Sequence, residues 1–168
     1  MKDRRKKELT RGYDDVKPEE VLALDVATVT GYYNIVDGGG VWDFDKHKGC
    51  NSRFEYASFR ETLVRYIKAN NIKQIVAEDV NVGKFFASMR KMSEFRGILR
   101  EVCESLWLNE PIFVPVKANK KCLTGDGNAS KKKMMRAVKQ KFGIDPVDDN
   151  HADAIGVYYY YIKNPNKR

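Results

Sequence analysis

Val21-Leu22-Ala23-Leu24-Asp25-Val26 is an apolar run broken once, by a carboxylate. A run of this length and composition reads as a buried strand, and a charged group inside one is costly unless something positive compensates it. The same arrangement recurs fifty residues on, where Ile75-Val76-Ala77 ends at Glu78. One such carboxylate is explained by strand-end capping or a turn. Two, near the ends of separate hydrophobic strands, are better explained by function than by packing.

The remaining elements are read outward from these two strands. Thr30 to Val36 and Gly40 to Phe44 are short runs rich in β-branched and aromatic residues, and Asp37-Gly38-Gly39-Gly40 between them reads as a hairpin turn. Asn51-Ser52 offers a cap for a helix carrying Phe54, Phe59, Leu63, Tyr66 and Ile67 to Asn70-Asn71. Lys73 to Val80 is the fourth strand, Ser88 to Leu108 a long helix stopped before Pro111, and Ile112 to Val116 the fifth strand. Ala118 to Asn128 reads as a basic, glycine-containing loop. Ser130 caps a helix to Phe142 that Gly143 ends, and a last helix follows Asp145-Pro146. The expected fold is α/β, βββαβαβα plus a C-terminal helix, on a five-stranded mixed sheet flanked by helices. Strands four and five, each reached through a helix, run parallel to the first. Strand four beside strand one brings Asp25 and Glu78 together.

Composition fits this reading. The 168 residues suit a single domain with one core, and 42% hydrophobic with 11% aromatic residues is ordinary globular usage, which excludes disorder throughout. Residues 1–19 are polar, highly charged and aperiodic and read as a basic flexible tail, leaving 20–168 as the domain. No apolar stretch approaches the roughly 20 residues of a membrane span, and no signal peptide follows the basic N-terminus, so a cytoplasmic protein is expected, or a nuclear one in a host with a nucleus. Cys50, Cys103 and Cys122 are far apart and, with two histidines, give no zinc spacing. Net charge is +8, and Lys and Arg crowd the N-terminus, the stretch 84–100 and the stretch 117–141. Clusters of this kind are the footprint expected for a phosphate backbone. Carboxylates set among them favour nucleic acid over a membrane surface.

Hard divalent cations take oxygen ligands, and a pair of them can flank a scissile phosphate. That needs three or four carboxylates. Asp149 and Asp153 stand at i and i+4 and share a helix face, with Asn150 close to the same direction. Each has a structural alternative: Glu78 as a rim residue beside Asp79, and Asp148-Asp149-Asn150 as a cap cluster for the last helix. His151 reads as a neutral, exposed helix position, with a catalytic acid or base as the alternative.

At these residues the chain resembles the RuvC family of Holliday-junction resolvases, within the RNase H-like (retroviral integrase) superfamily. The matches are Leu22-Ala23-Leu24-Asp25 with Thr30-Gly31-Tyr32, then Ile75-Val76-Ala77-Glu78, then Ala152-Asp153-Ala154-Ile155-Gly156, spread over residues 20–162. The resemblance implies that Asp25, Glu78 and Asp153 are catalytic and bind metal, with two Mg²⁺ or Mn²⁺ ions. It implies a homodimeric crossover junction endodeoxyribonuclease of DNA recombination and repair, cutting symmetric strands of a four-way junction. It further implies that Lys120 and Lys131, which bracket Gly125-Asp126-Gly127, lie near the scissile phosphate, where a helix N-terminus makes a phosphate cradle.

Two departures, Asp25-Val26-Ala27-Thr28 in place of Asp-Pro-Gly and a segment one residue shorter before Thr30-Gly31, bring the chain closer to divergent phage-type members. The fourth ligand position, acidic or histidine in the family and three residues before Asp153, is Asn150 here. Asp149 is the preferred fourth ligand because a carboxylate carries charge, while Asn150 offers an amide oxygen to the same metal. Lys84, Phe85, Phe86, Lys117, Lys121, Lys132 and Lys133 are expected to contact DNA, the two phenylalanines by stacking on an unpaired base. Core packing is the alternative for either ring. The resemblance puts the dimer interface on the long helix around Phe95-Arg96-Gly97, whose apolar stripe an ordinary buried helix would share. A bacterial or phage-infected cell, with the protein on the nucleoid when DNA-bound, is the implied setting. The competing functions are another RNase H-like nuclease, acting on RNA:DNA hybrids or flaps, and a non-catalytic nucleic-acid-binding protein of the same fold.

Overall fold

The computed structural model describes residues 16–44, 53–79 and 86–164. Most of the expected tail, the Asn51-Ser52 cap, Lys84 and Phe85 lie outside the described residues. A 3-10 turn at Pro18–Glu20, with Glu20 buried and paired to Lys73 at 2.6 Å, leads into the first strand.

Strands β1 (Val21–Asp25), β2 (Val29–Tyr33), β3 (Gly40–Asp43), β4 (Gln74–Glu78) and β5 (Ile112–Val114) form one sheet in the order β3-β2-β1-β4-β5. The first three are antiparallel; β4 pairs parallel with β1 and β5 parallel with β4. Gly38 and Gly39, with φ of 78° and 71°, make the turn between β2 and β3. The helices are α1 (Arg53–Ala69), α2 (Phe86–Ser105), α3 (Val116–Thr124), α4 (Lys131–Phe142) and α5 (Asp149–Lys163). The RNase H-like architecture expected from the sequence is present.

Strand parity explains both the core and the site. Successive side chains point to opposite faces, so Leu22, Leu24, Ile75 and Ala77 face α1 and α2, while Val21, Ala23 and Val76 face α3, α4 and α5. A sheet covered on both faces needs near-continuous apolar strands, as β1 and β4 are. Each fully buried Leu or Phe stabilises by about 2 kcal/mol, and Leu22, Leu24, Phe59, Leu63, Phe95 and Leu99 are all inaccessible to solvent. Asp25 and Glu78 share the parity of Ala23 and Val76, so they emerge on the α5 face. The β1–β4 register, with Leu24 opposite Ala77, sets them side by side at the next position.

Two elements differ from the sequence reading. The expected loop at 118–128 begins as helix α3, which runs to Thr124 and is closed by Gly125 with φ 80° and its N–H on the Lys121 carbonyl. Its buried face is Asn119 and Leu123, too small a stripe to stand out among lysines. Helix α2 stops at Ser105 without help from Pro111. The Trp107 and Leu108 amides return to the Glu104 and Cys103 carbonyls, at 3.2 and 2.9 Å. That is a Schellman closure with Trp107 in the left-handed position at φ 56°, offset by Leu108 packing on the core. The apolar stripe of α2, Phe95, Leu99, Val102 and Cys103, is spent on the core against the sheet and α1.

Candidate metal centre

Three elements deliver three carboxylates to one point. Asp25 ends β1, Glu78 ends β4, and Asp153 lies one turn inside α5; carboxylate oxygens of the three lie within 4.8 Å of one another. Helix α5 comes this close to the sheet because β2 carries Gly31, where a Cβ would stand 2.0 Å from the Asn150 carbonyl oxygen. Any side chain at 31 would lift the N-terminus of α5, and Asp153 with it, away from Asp25.

The electrostatics are those of a site built for a cation. Burial first, then the charges of Glu78, Asp153 and Asp149, drive the Asp25 carboxyl well above the usual carboxylate range. Burial likewise pushes Glu78 up to about 7 and Asp153 up to about 6. Like charges held this close cannot all ionise cheaply. Asp153 Oδ1 is also buried with no hydrogen-bond partner, a cost that a metal ion would remove. The donors are all oxygens, the set that hard divalent ions prefer. The cluster is therefore able to hold a divalent metal ion, and these residues fit one.

The cations expected near the cluster act on it. Lys120 on α3 lowers the carboxyl pKa of Glu78 and Asp153, and Lys131, at the start of α4, does the same for Asp25 and Asp153. Lys131 Nζ pairs with Asp149, whose carboxylate holds the Lys131 ammonium above the ordinary lysine range. Ser130 caps α4, its side chain accepting from the Lys133 amide. Lys117 and Lys121 on α3 and Lys132 and Lys133 on α4 are exposed, Lys133 bonding Asp126 at 3.0 Å. Phe86 is 72% exposed, so core packing does not explain it.

The cap cluster of α5 is also sorted. Asp148 is the cap, its Oδ1 accepting from the His151 amide at 2.9 Å. Asn150 donates to the Asp148 carboxylate at 3.3 Å and lines a cleft of about 320 Å³ with Ala27, Thr28, Val29, Lys91, Met92 and Phe95. Asp149 is left to face Lys131 and Asp25. His151 is buried, contrary to the surface reading, because α5 presses on the hairpin. Its Nδ1 accepts from the Val147 amide at 3.2 Å and its Nε2 faces the Gly38 carbonyl at 2.9 Å. Those partners make it a neutral tether, and burial holds its pKa below the ordinary value.

Asn119 escaped the sequence reading. It is fully buried, and its Nδ2 donates to Glu78 Oε1 at 2.8 Å and to the Asp153 carbonyl at 3.2 Å. The signal was an amide four residues before Leu123, legible only once α3 is recognised as a helix.

No family model matches the chain. Among curated proteins it is 32% identical over 129 residues to the crossover junction endodeoxyribonuclease RuvC of Brachyspira hyodysenteriae, covering 74% of this chain and 76% of that one. The chain belongs to the RuvC family. Solved structures of Holliday-junction proteins superpose on it as folds. The RuvC of T. thermophilus in complex with Holliday junction substrate gives a TM-score of 0.71 at 14% identity, over 84% of this chain and 92% of that one. A second Thermus thermophilus RuvC structure gives 0.69 at 12% identity, over 87% and 95%. The yeast mitochondrial Holliday junction resolvase Ydc2 gives 0.61 at 12% identity, over 97% and 86%. A RuvC-type nuclease fold with an acidic cluster able to hold a divalent metal is the equipment of a metal-dependent nuclease. Among the described residues no helix is long and apolar enough to cross a membrane.

Proposed function

We propose that this RuvC-family chain is a structure-selective DNA endonuclease that resolves four-way or other branched junctions, working as a homodimer on two Mg²⁺ or Mn²⁺ ions. The observation that carries the reading is the convergence of Asp25, Glu78 and Asp153, with an unpartnered buried carboxylate oxygen, in a chain 32% identical to a crossover junction endodeoxyribonuclease. The T. thermophilus relative solved with a Holliday junction substrate supports branched DNA as the partner. A cytoplasmic setting, on the nucleoid when DNA-bound, follows from that partner.

In this reading Asp25, Glu78 and Asp153 hold the metal and Asp149 completes the set, with Asn150 as the lesser candidate. A divalent ion held there would supply Lewis-acid activation of water and charge stabilisation at the scissile phosphate. The chain's own residues do the rest. Lys120 and Lys131 neutralise the phosphate beside the carboxylates, the α4 N-terminus adds backbone donors, and Lys117, Lys121, Lys132 and Lys133 fix the DNA backbone. Phe86, with Phe85 and Lys84 next to it in sequence, stacks on an unpaired base at the opened junction.

The deciding experiment incubates the protein with labelled four-way junction, linear duplex and RNA:DNA hybrid, in Mg²⁺ and in EDTA. Paired symmetric nicks in the junction, with Mg²⁺ alone, are expected. Cutting of the hybrid in preference to the junction would redirect the reading to another RNase H-like nuclease. Binding without any cutting would make the chain a non-catalytic binder.

The two central lysines have a separable signature. The double variant Lys120→Ala/Lys131→Ala should lose about a hundredfold in cleavage rate, as expected for groups that stabilise charge at the reacting phosphate. Its junction affinity should fall much less, with a salt slope reduced by about one per lost phosphate contact. Equal losses in rate and affinity, measured by single turnover and by titration, would reduce both to general electrostatic attraction.

A further inference from the structure

Asn119 makes an arrangement that packing alone does not call for. It sits on the buried face of α3, four residues before Leu123, with no solvent exposure. Both hydrogens of its amide are used, on Glu78 Oε1 and on the Asp153 carbonyl. Its Oδ1 has no partner. A buried acceptor left in this state costs about 1–3 kcal/mol, and a valine or leucine would fill the same space without that cost. The amide cannot be turned to relieve it, because Oδ1 would then face two acceptors. Opposite Oδ1 lies Gly156, where a Cβ would stand 2.3 Å from that oxygen. The chain thus tolerates an unsatisfied acceptor, and a glycine inside a helix, which itself costs about 1 kcal/mol against alanine, to keep this amide in place.

We infer that Asn119 is a positioning residue of the metal centre: one buried amide fixes the Glu78 carboxylate and holds the turn of α5 that carries Asp153. The inference rests on the nuclease reading and deepens it. The same α3 turn carries Lys120, so Asn119 also sets the phosphate-facing lysine in register with the carboxylates. Its hydrogen bond favours the ionised form of Glu78, opposing the upward push of burial. Groups that orient metal ligands in this way typically change metal affinity by 10–100-fold when removed.

The test compares the parent with N119V, N119A and G156A. In G156A the amide is retained but its oxygen is pressed by the new methyl. Two readouts are taken: the Mg²⁺ or Ca²⁺ concentration giving half of the metal-induced rise in Tm, and kcat and KM for junction cleavage. All three variants should need about tenfold more metal and lose kcat at least tenfold, with KM for the junction little changed. In the double variant N119A/G156A the methyl enters space the amide has left, so the two losses should not add. N119V may not be excused by instability, since G156A displaces the amide without deleting it. If the folded variants keep the parental metal midpoint and kcat while only Tm moves, Asn119 is packing and the inference is overturned. If the parent itself shows neither a metal-induced Tm rise nor cleavage, the nuclease reading falls and takes the inference with it.

Discussion

Asp25→Asn should abolish junction cleavage, by about a thousandfold or more, while leaving junction affinity within a few-fold of the parent. The substitution removes one charged oxygen from the cluster and nothing from the basic surface proposed to attract DNA. In EDTA the same variant should be more stable than the parent at pH 7.5. Asp25 is pressed by burial and by Glu78, Asp153 and Asp149, and its own charge in turn raises the cost of ionising its neighbours. The pH dependence follows from the sign of these shifts. Glu78 is raised to about 7 and Asp153 to about 6, above the 4.5 and 3.8 that such groups have when unfolded. Between those values the folded protein binds more protons than the unfolded chain, so stability falls as pH rises. The metal-free parent should therefore melt higher at pH 5.5 than at pH 7.5, and the variant should show less of this gain. A 1 kcal/mol effect moves Tm by about 2–4 °C in a chain of this size, within easy reach of a melting curve. His151, whose pKa burial lowers, opposes the gain equally in both proteins, so a variant that cuts at the parental rate, or that gains as much Tm as the parent between pH 7.5 and 5.5, would remove Asp25 from the mechanism.

The parts of this site that were legible in the sequence are those fixed by strand parity. Asp25 and Glu78 announce themselves because an apolar run has few reasons to contain a carboxylate, and their neighbourhood followed once β4 was set beside β1. Asp153 was legible through the i, i+4 pattern and the family resemblance. What stayed hidden depends on contacts between elements. Helix α3 buries only Asn119 and Leu123 over nine residues, so its periodicity was lost among lysines and Gly125 looked like loop composition, though it is a helix terminator. His151 reads as exposed in the sequence because its burial is imposed by the β2–β3 hairpin, 113 residues away. Gly31 and Gly156 carry no signal of their own. Each matters for the atom that approaches it, the Asn150 carbonyl in one case and Asn119 Oδ1 in the other.

Asp149→Ala should cost two or more orders of magnitude in cleavage rate and weaken the Mg²⁺ dependence, whereas Asn150→Ala should be mild. The sequence left two readings of Asp149, a fourth metal ligand and a helix cap, and they made opposite forecasts. The cap belongs to Asp148, whose side chain accepts from the His151 amide, so removing Asp149 leaves the helix start intact. A cap loss of about 1 kcal/mol is instead the forecast for Asp148→Ala. Asp149 lies on the first turn of α5, its charge felt at Asp25 and Asp153 and its carboxylate engaged by Lys131. The same carboxylate would hold Lys131 through one oxygen while offering the other to a metal ion. Loss of Asp149 would therefore remove the proposed fourth ligand and the partner that holds Lys131, two effects on rate with little on folding. Asn150 has its amide on Asp148 and lines the cleft with Ala27, Thr28 and Val29, with less to contribute to the cluster. Melting temperature and single-turnover cleavage, measured on all three variants, separate these roles. A mild Asp149→Ala beside a crippled Asn150→Ala would move the fourth ligand to the amide.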